Sequence, residues 1–118
     1  MLSRSNRLRR RNDFARVYKK GTTTHARLFS IKHAQNQLGH PRIGIVVSTK
    51  VSKRAVIRNR LRRRFYAQMR HLLLQINGGV DIVIMVRHSA IDQESAQIAR
   101  DLEKALTRAH LLSEVQKT

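Results

Sequence analysis

The chain has 118 residues, enough for one domain, and at this size folding removes roughly two-thirds of the unfolded chain's surface from water. Its 25 Lys and Arg against 7 Asp and Glu leave a formal charge of +18, which points to a polyanion or an anionic membrane as partner. No cysteine is present, which excludes disulfides, thiolate zinc sites and a cysteine nucleophile, and no apolar run approaches the ~18 residues of a membrane span.

The charge is unevenly spread. Residues 1–80 hold twenty of the basic residues and a single acid, Asp13, whereas residues 81–118 hold five bases and six acids. The six histidines are scattered, without a pair at metal-ligand spacing. The basic start is not followed by an apolar segment of signal-peptide type, so a cytoplasmic protein with no membrane partner is expected.

Residues 1–11 show no hydrophobic period and carry five arginines, including a first copy of the hexapeptide NRLRRR at 6–11, and are expected to form a mobile arm or a loosely packed entry segment. Asn12 is placed to cap a short helix, Asp13 suits its positive end, and Gly21 stops it after Lys20. Phe14, Val17 and Tyr18 share one face of that helix. In ARLFSIKHA, Leu28, Ser30 and Lys32 alternate with Phe29 and Ile31, the period of a half-buried strand. QNQLGHPR reads as a loop, and the consecutive apolar residues of IGIVVS, Ile43 to Ser48, as a central strand covered on both faces.

After Ser52, a candidate cap, the period becomes helical. Ile57, Leu61, Phe65, Met69, Leu72 and Ile76 fall within an arc of about 120° at ~100° per residue, the stripe of a core-facing helix from Lys53 to about Ile76. Most of the rest of its circumference is cationic: Arg60, Arg63, Arg64 and Arg70 lie outside the stripe and Arg62 borders it. Arg58 falls inside the apolar arc, and its long stem has to bend away from the packed region. Asn77, Gly78 and Gly79 end this helix, VDIVIMV from Val80 to Val86 reads as an inner strand, and the stretch from Asp92 forms a last helix burying Ile98, Leu102 and Leu106. The expected architecture is one α/β (α+β) two-layer sandwich over residues 1–118, a small sheet of three to four strands packed with helices in the order α-β-β(-β)-α-β-α.

Lys50 to Arg70 contains nine bases and no acid. A charge run is ordinarily a solvated face, but here no i,i+4 ion pair offsets the repulsion, so an external anion is the natural partner. Arginine predominates, which suits planar, two-pronged contact with phosphate. Neutralising about six phosphates would give a slope of roughly −5 in log K against log salt. Phe14 and Tyr18 admit two readings, closure of the core beneath their helix or stacking platforms for unpaired bases. Protein-borne phosphodiester catalysis finds little support, because the basic two-thirds of the chain offers one carboxylate. Asp81 and Asp92 flank a strand, where capping or loop roles are expected.

KVSKRAVIRNRLRRRFYAQMR resembles the signature helix of the bacterial ribonuclease P protein subunit, an Arg-Asn-Arg triplet followed by further bases and a phenylalanine. NDFARVYKKGT before it and RIGIVVSTK directly upstream extend the resemblance to about residues 7–110. It implies an accessory subunit that joins a catalytic RNA to remove the 5′ leader of precursor tRNA, with magnesium bound mainly by the RNA. No catalytic or metal-ligating residue is expected in the protein, and the chain alone is expected to be monomeric. The resemblance further implies that Arg58, Asn59, Arg60, Arg62 and Arg63, with Lys50, Lys53 and Arg54 before them, face the catalytic RNA. Phe14 and Tyr18 match aromatic positions of a cleft for the single-stranded leader. Lys32 stands where some relatives carry tyrosine, which exchanges a stacking contact for an electrostatic one. The family also joins two parallel strands through the basic helix by a left-handed crossover, against the usual right-handed rule.

On this reading the second NRLRRR, Asn59 to Arg64, is aimed by a rigid helix, while the first awaits RNA to place it. A ribosomal or other structural RNA-binding protein without a role in cleavage is the alternative. A DNA-binding module is disfavoured, because the basic helix needs one face for its own sheet.

Overall fold

Four strands form one sheet in the spatial order β1-β2-β4-β3, from Thr22–His25 (β1), Phe29–Gln35 (β2), Arg42–Val46 (β3) and Val80–Val86 (β4). Among the described residues three α-helices complete the fold: α1 (Arg11–Lys20) precedes the sheet, α2 (Ala55–Leu72) connects β3 to β4, and α3 (Ser95–Arg108) follows β4. The structure is a computed structural model in which residues 2–112 are described; Met1 and residues 113–118 of the expected single domain lie outside them. The order α-β-β-β-α-β-α is that expected from the sequence. β1 pairs with β2 and β2 with β4 antiparallel, whereas β3 and β4 are parallel. A parallel pair needs a long connection, and α2 supplies it.

Register sorts the side chains between two faces. Phe29 and Ile31 lie on the same face as Ile82, Ile84 and Val86 of β4 and Ile43 and Ile45 of β3, and all join one core with Leu61, Phe65 and Met69 of α2 and Ile98, Leu102 and Leu106 of α3. Phe65 is fully buried and meets Phe29 edge-on, with ring centroids 5.8 Å apart. Truncating Phe65 to alanine in such a site costs about 3–5 kcal/mol. Ala34, Val83, Met85 and Val46 point to the other face, where a smaller cluster gathers Leu8, Phe14 and Val17. Thus α2 and α3 cover one face, and α1 covers part of the second.

Several local expectations are corrected. β3 is an edge strand, not a central one. Its apolar run reports coverage on both faces, and its free edge is met instead by the N-terminal segment and by Tyr66, whose hydroxyl accepts the Ile45 N–H at 3.3 Å. Residues 2–8 are seated on the protein. Leu2 and Leu8 are buried, the Leu8 N–H donates to the Ile43 carbonyl at 2.9 Å, and the Asn6 amide donates to the Pro41 carbonyl at 2.8 Å. The first NRLRRR therefore has a frame, supplied by a strand edge 35 residues away rather than by its own periodicity.

Arg10, not Asn12, occupies the cap position of α1 and makes no side-chain cap bond. Gly21 does end α1, and the reason is close approach: a Cβ there would collide with the carbonyl oxygens of Val17 and His33. α2 begins after Arg54, and Ser52 supports it one step earlier by accepting the Arg54 N–H at 3.2 Å. Regular α2 stops at Leu72; a 3-10 turn over Leu73–Gln75 follows, and Ile76 leaves the helix to bridge Leu112. Leu28 precedes β2 and turns into the main core, fully buried, so it does not share the polar face of Ser30 and Lys32.

Candidate RNA interface

α2 buries Leu61, Phe65, Met69 and Leu72, and this anchors the opposite side of the helix as a fixed cationic surface. Lys50, Lys53, Arg54, Asn59, Arg60 and Arg63 are exposed, and Arg58 and Arg62 are half-buried. Arg62 donates to the Asn59 side-chain oxygen, so the asparagine of the Arg-Asn-Arg triplet holds a neighbouring guanidinium in place. Arg58 resolves its position in the apolar arc by bending back, with its guanidinium donating to the Ser52 carbonyl at 3.0 Å. Among the described residues no carboxylate forms an ion pair with these cations. Arg64 is directed elsewhere, donating to the Gln93 carbonyl at 3.2 Å ahead of α3.

The second candidate surface lies across the sheet. Val17 anchors α1 on Val83, Phe14 lies over Gly44, and the half-exposed Tyr18 ring projects from the same helix, with its centroid 6.5 Å from that of Phe14. Burial raises the Tyr18 phenol above its ordinary value, so the ring is neutral at physiological pH. Lys32 donates to the Tyr18 carbonyl at 2.8 Å and stands 6.0 Å from the ring centroid. It also lines an open recess of about 440 Å³. Phe14, Tyr18 and Lys32 thus follow one another in contact order, and of the three Lys32 lines the recess.

Among the residues of this recess that sequence reasoning missed are His25, Ser30 and Arg87. The Ser30 hydroxyl receives the Arg87 guanidinium at 2.9 Å and lies 3.0 Å from His25 Nδ1. Cross-strand register places His25 beside Ser30 and Ser30 beside Met85. No local pattern signals this grouping, since β1 and the end of β4 meet only through β2. Topology also relates the two surfaces. β3 and β4 run the same way, so α2 must run back, and its first turns lie at the end of the sheet where β4 finishes and Arg87 stands. The Arg-Asn-Arg triplet and the recess share that end, on opposite faces of the sheet.

Asp81 is neither a cap nor a loop residue. It is fully buried in β4 and receives Arg42 through two bonds of 2.9 and 2.7 Å, Arg16 at 2.5 Å and the Asn36 amide at 2.8 Å. Burial by itself pushes this carboxyl up, but hydrogen bonds from Arg42, Asn36 and Arg16, with the charge of Arg42, outweigh it and hold the group below the usual carboxylate range. Asp13 is engaged by Arg42 at 3.2 Å. Both acids are committed to arginines. Among the described residues, no group of three His, Cys, Asp or Glu is arranged to hold a metal ion.

The family model described as Ribonuclease P matches residues 2–110. The chain is 43% identical over 113 residues to a ribonuclease P protein component from Pseudanabaena sp. (strain PCC 6903), covering 95% of this chain and 97% of the relative. It is 36% identical to that of Cyanothece sp. (strain PCC 7425 / ATCC 29141), at 95% and 98% coverage. The fold superposes on the RNase P protein of Staphylococcus aureus with a TM-score of 0.83 at 32% identity, covering 92% of this chain and 98% of that one. For the protein from Thermotoga maritima the TM-score is 0.79 at 29% identity, with 86% and 96% covered. The ordered motifs, the sheet topology and these similarities agree, and the chain belongs to the ribonuclease P protein component family.

Proposed function

We propose that this protein is the accessory subunit of an RNA-based ribonuclease P and promotes removal of the 5′ leader from precursor tRNA. The observation that carries the proposal is the α2 surface: a rigid row of cations, unpaired with carboxylate among the described residues, at the same end of the sheet as a recess lined by Lys32, which stands beside the exposed Tyr18 ring. In this reading Lys50, Lys53, Arg54, Arg58, Asn59, Arg60, Arg62 and Arg63 form the surface that meets the catalytic RNA. Their guanidinium groups bind phosphate oxygens two at a time, and because α2 is already folded little order is lost on binding.

The leader lies in the groove beside α1. Phe14 and Tyr18 stack on unpaired bases, and Lys32, where some relatives carry tyrosine, contributes charge. Ser30, His25 and Arg87 add polar contacts at the far side of the recess. Together these contacts hold the leader relative to the RNA's active centre, lowering the entropy cost of reaching the cleavage geometry. Asp81 does not fit a magnesium site, since arginines occupy both its oxygens, and Asp13 is engaged by Arg42 at Oδ2. Magnesium is assigned in this proposal to the RNA.

Cleavage of a 5′-extended precursor tRNA at low magnesium tests the proposal, with catalytic RNA alone, protein alone and both together. Cleavage that requires the RNA and rises strongly with the protein is expected. RNA binding without any change in cleavage rate would instead favour a structural RNA-binding protein.

A further inference from the structure

A second cationic cleft lies away from both surfaces. It is an open cavity of about 680 Å³ between the N-terminal segment, α1 and the loop joining β2 to β3. Arg4, Arg9 and Arg10 line one side, Arg16 and Lys20 of α1 another, and Arg42 the floor. At ~100° per residue, Arg16 and Tyr18 are about 160° apart around α1, so the helix is a ridge with the aromatic groove on one flank and this cleft on the other. Arg42 and Asp81 stand at the start of β3 and β4, the end of the sheet opposite to the Arg-Asn-Arg triplet.

Two features make the cleft a site for an anion. Asp13 is the one acid that lines it, and Arg42 already engages that carboxylate. Arg16 and Arg42 are anchored on Asp81, whereas Arg4, Arg9, Arg10 and Lys20 have no carboxylate partner among the described residues. In addition, Arg9, Arg10 and Arg11 crowd the N-terminal end of α1, where the helix dipole disfavours cations and no side-chain cap is present. A phosphate placed there meets uncapped N–H groups and guanidinium groups together, and removes the repulsion between them.

The geometry points to this cleft as a distinct binding site for the sugar-phosphate backbone of paired RNA, occupied by a helical segment of the catalytic RNA. The inference rests on the subunit reading above. Among the described residues no phenylalanine, tyrosine or tryptophan lines the cleft, so it offers no platform for unpaired bases and favours backbone contact over an unpaired leader. The two copies of NRLRRR then serve two separate backbone contacts, one framed by a helix and one by a strand edge.

The test compares two charge-matched double variants of the full chain, R9Q/R10Q in the cleft and R100Q/K104Q on α3, all four side chains being exposed. Binding to a catalytic-RNA transcript is measured across a salt series, with thermal melts to verify folding; R4Q/K20Q repeats the test from two other elements around the cleft. Each cleft variant is expected to weaken binding roughly tenfold and to reduce the salt slope by about 2. The α3 variant should change binding by less than about twofold. The preference of the reconstituted holoenzyme for leader-bearing over leaderless precursor should stay constant. Equal losses in both pairs would reduce the cleft to general charge, and a loss confined to leader-dependent affinity would make the leader its occupant; either overturns the inference. R60A on the same transcript separates the two readings. If R60A weakens binding and the cleft variants do not, only the cleft assignment fails; if none of them does, the subunit reading falls and the inference with it.

Discussion

Arg42 grips Asp81 with two parallel bonds, Nε to Oδ1 at 2.9 Å and a terminal nitrogen to Oδ2 at 2.7 Å, across the parallel junction of β3 and β4. Asp81 has no exposed surface, and Arg16 brings α1 to the same carboxylate. One buried acid thus ties β3, β4 and α1 together, and with α1 both flanks on which RNA contacts are placed. Removing it strands two arginines. Asp81→Ala is expected to cost about 3–5 kcal/mol, read by urea unfolding, with Asp81→Asn less severe because the amide oxygen still accepts one bond.

The same carboxylate sets an acid limit. Its folded pKa is lowered, so between that value and the ordinary aspartate value the unfolded chain binds the additional proton and stability rises with pH. The contribution is complete above about pH 5 and is lost as pH falls through the lowered folded value. Unfolding free energies of wild type and Asp81→Asn measured from neutral pH downward should converge on the acid side. Parallel curves would assign acid sensitivity to other groups.

Gly44 controls how closely α1 lies on the sheet. A Cβ at this position would come within 2.6 Å of the end of the Phe14 ring and 3.3 Å of Leu8. Gly44→Ala is expected to push Phe14 aside, cost about 1–3 kcal/mol, and weaken binding of leader-bearing precursor more than binding of catalytic RNA.

Among RNA contacts Phe14→Ala and Tyr18→Ala should act on the leader, and Phe14→Ala should also lower stability, because Phe14 packs with Leu8 and Val17. Loss of a stacked base costs about 1–3 kcal/mol, so each is expected to weaken the affinity difference between leader-bearing and leaderless precursor by roughly 5- to 150-fold. Titrating both substrates against the holoenzyme reads this directly. An equal loss for the leaderless substrate would restore the reading in which these rings only close the core.

Arg58 and Arg60 flank Asn59 but are expected to behave differently. Each alanine variant should reduce the salt slope for catalytic RNA by about 1. Only Arg58→Ala should also lower the melting temperature, because the Arg58 guanidinium holds the Ser52 carbonyl while Arg60 is exposed.

Elements whose pattern is local are legible in the amino-acid sequence. Leu61, Phe65, Met69 and Leu72 recur at helical spacing, so the cationic side of α2 is legible before any partner is known, and the apolar run from Val80 marks an inner strand in the same way. Motif order likewise announced the family, since the Arg-Asn-Arg triplet and its flanks are contiguous text. The remainder depended on tertiary structure. Arg16, Asn36 and Arg42 lie 65, 45 and 39 residues from Asp81, and nothing in a local window joins them. Strand β1, TTTH, has no apolar alternation and exists because β2 offers it an edge. The N-terminal NRLRRR acquires its place from the unpaired edge of β3, whose Ile43 carbonyl takes the Leu8 N–H. Periodicity is a property of neighbours along the chain and can be read there. An edge, a buried counter-charge and a cleft are properties of neighbours in space, and only the completed sheet creates them.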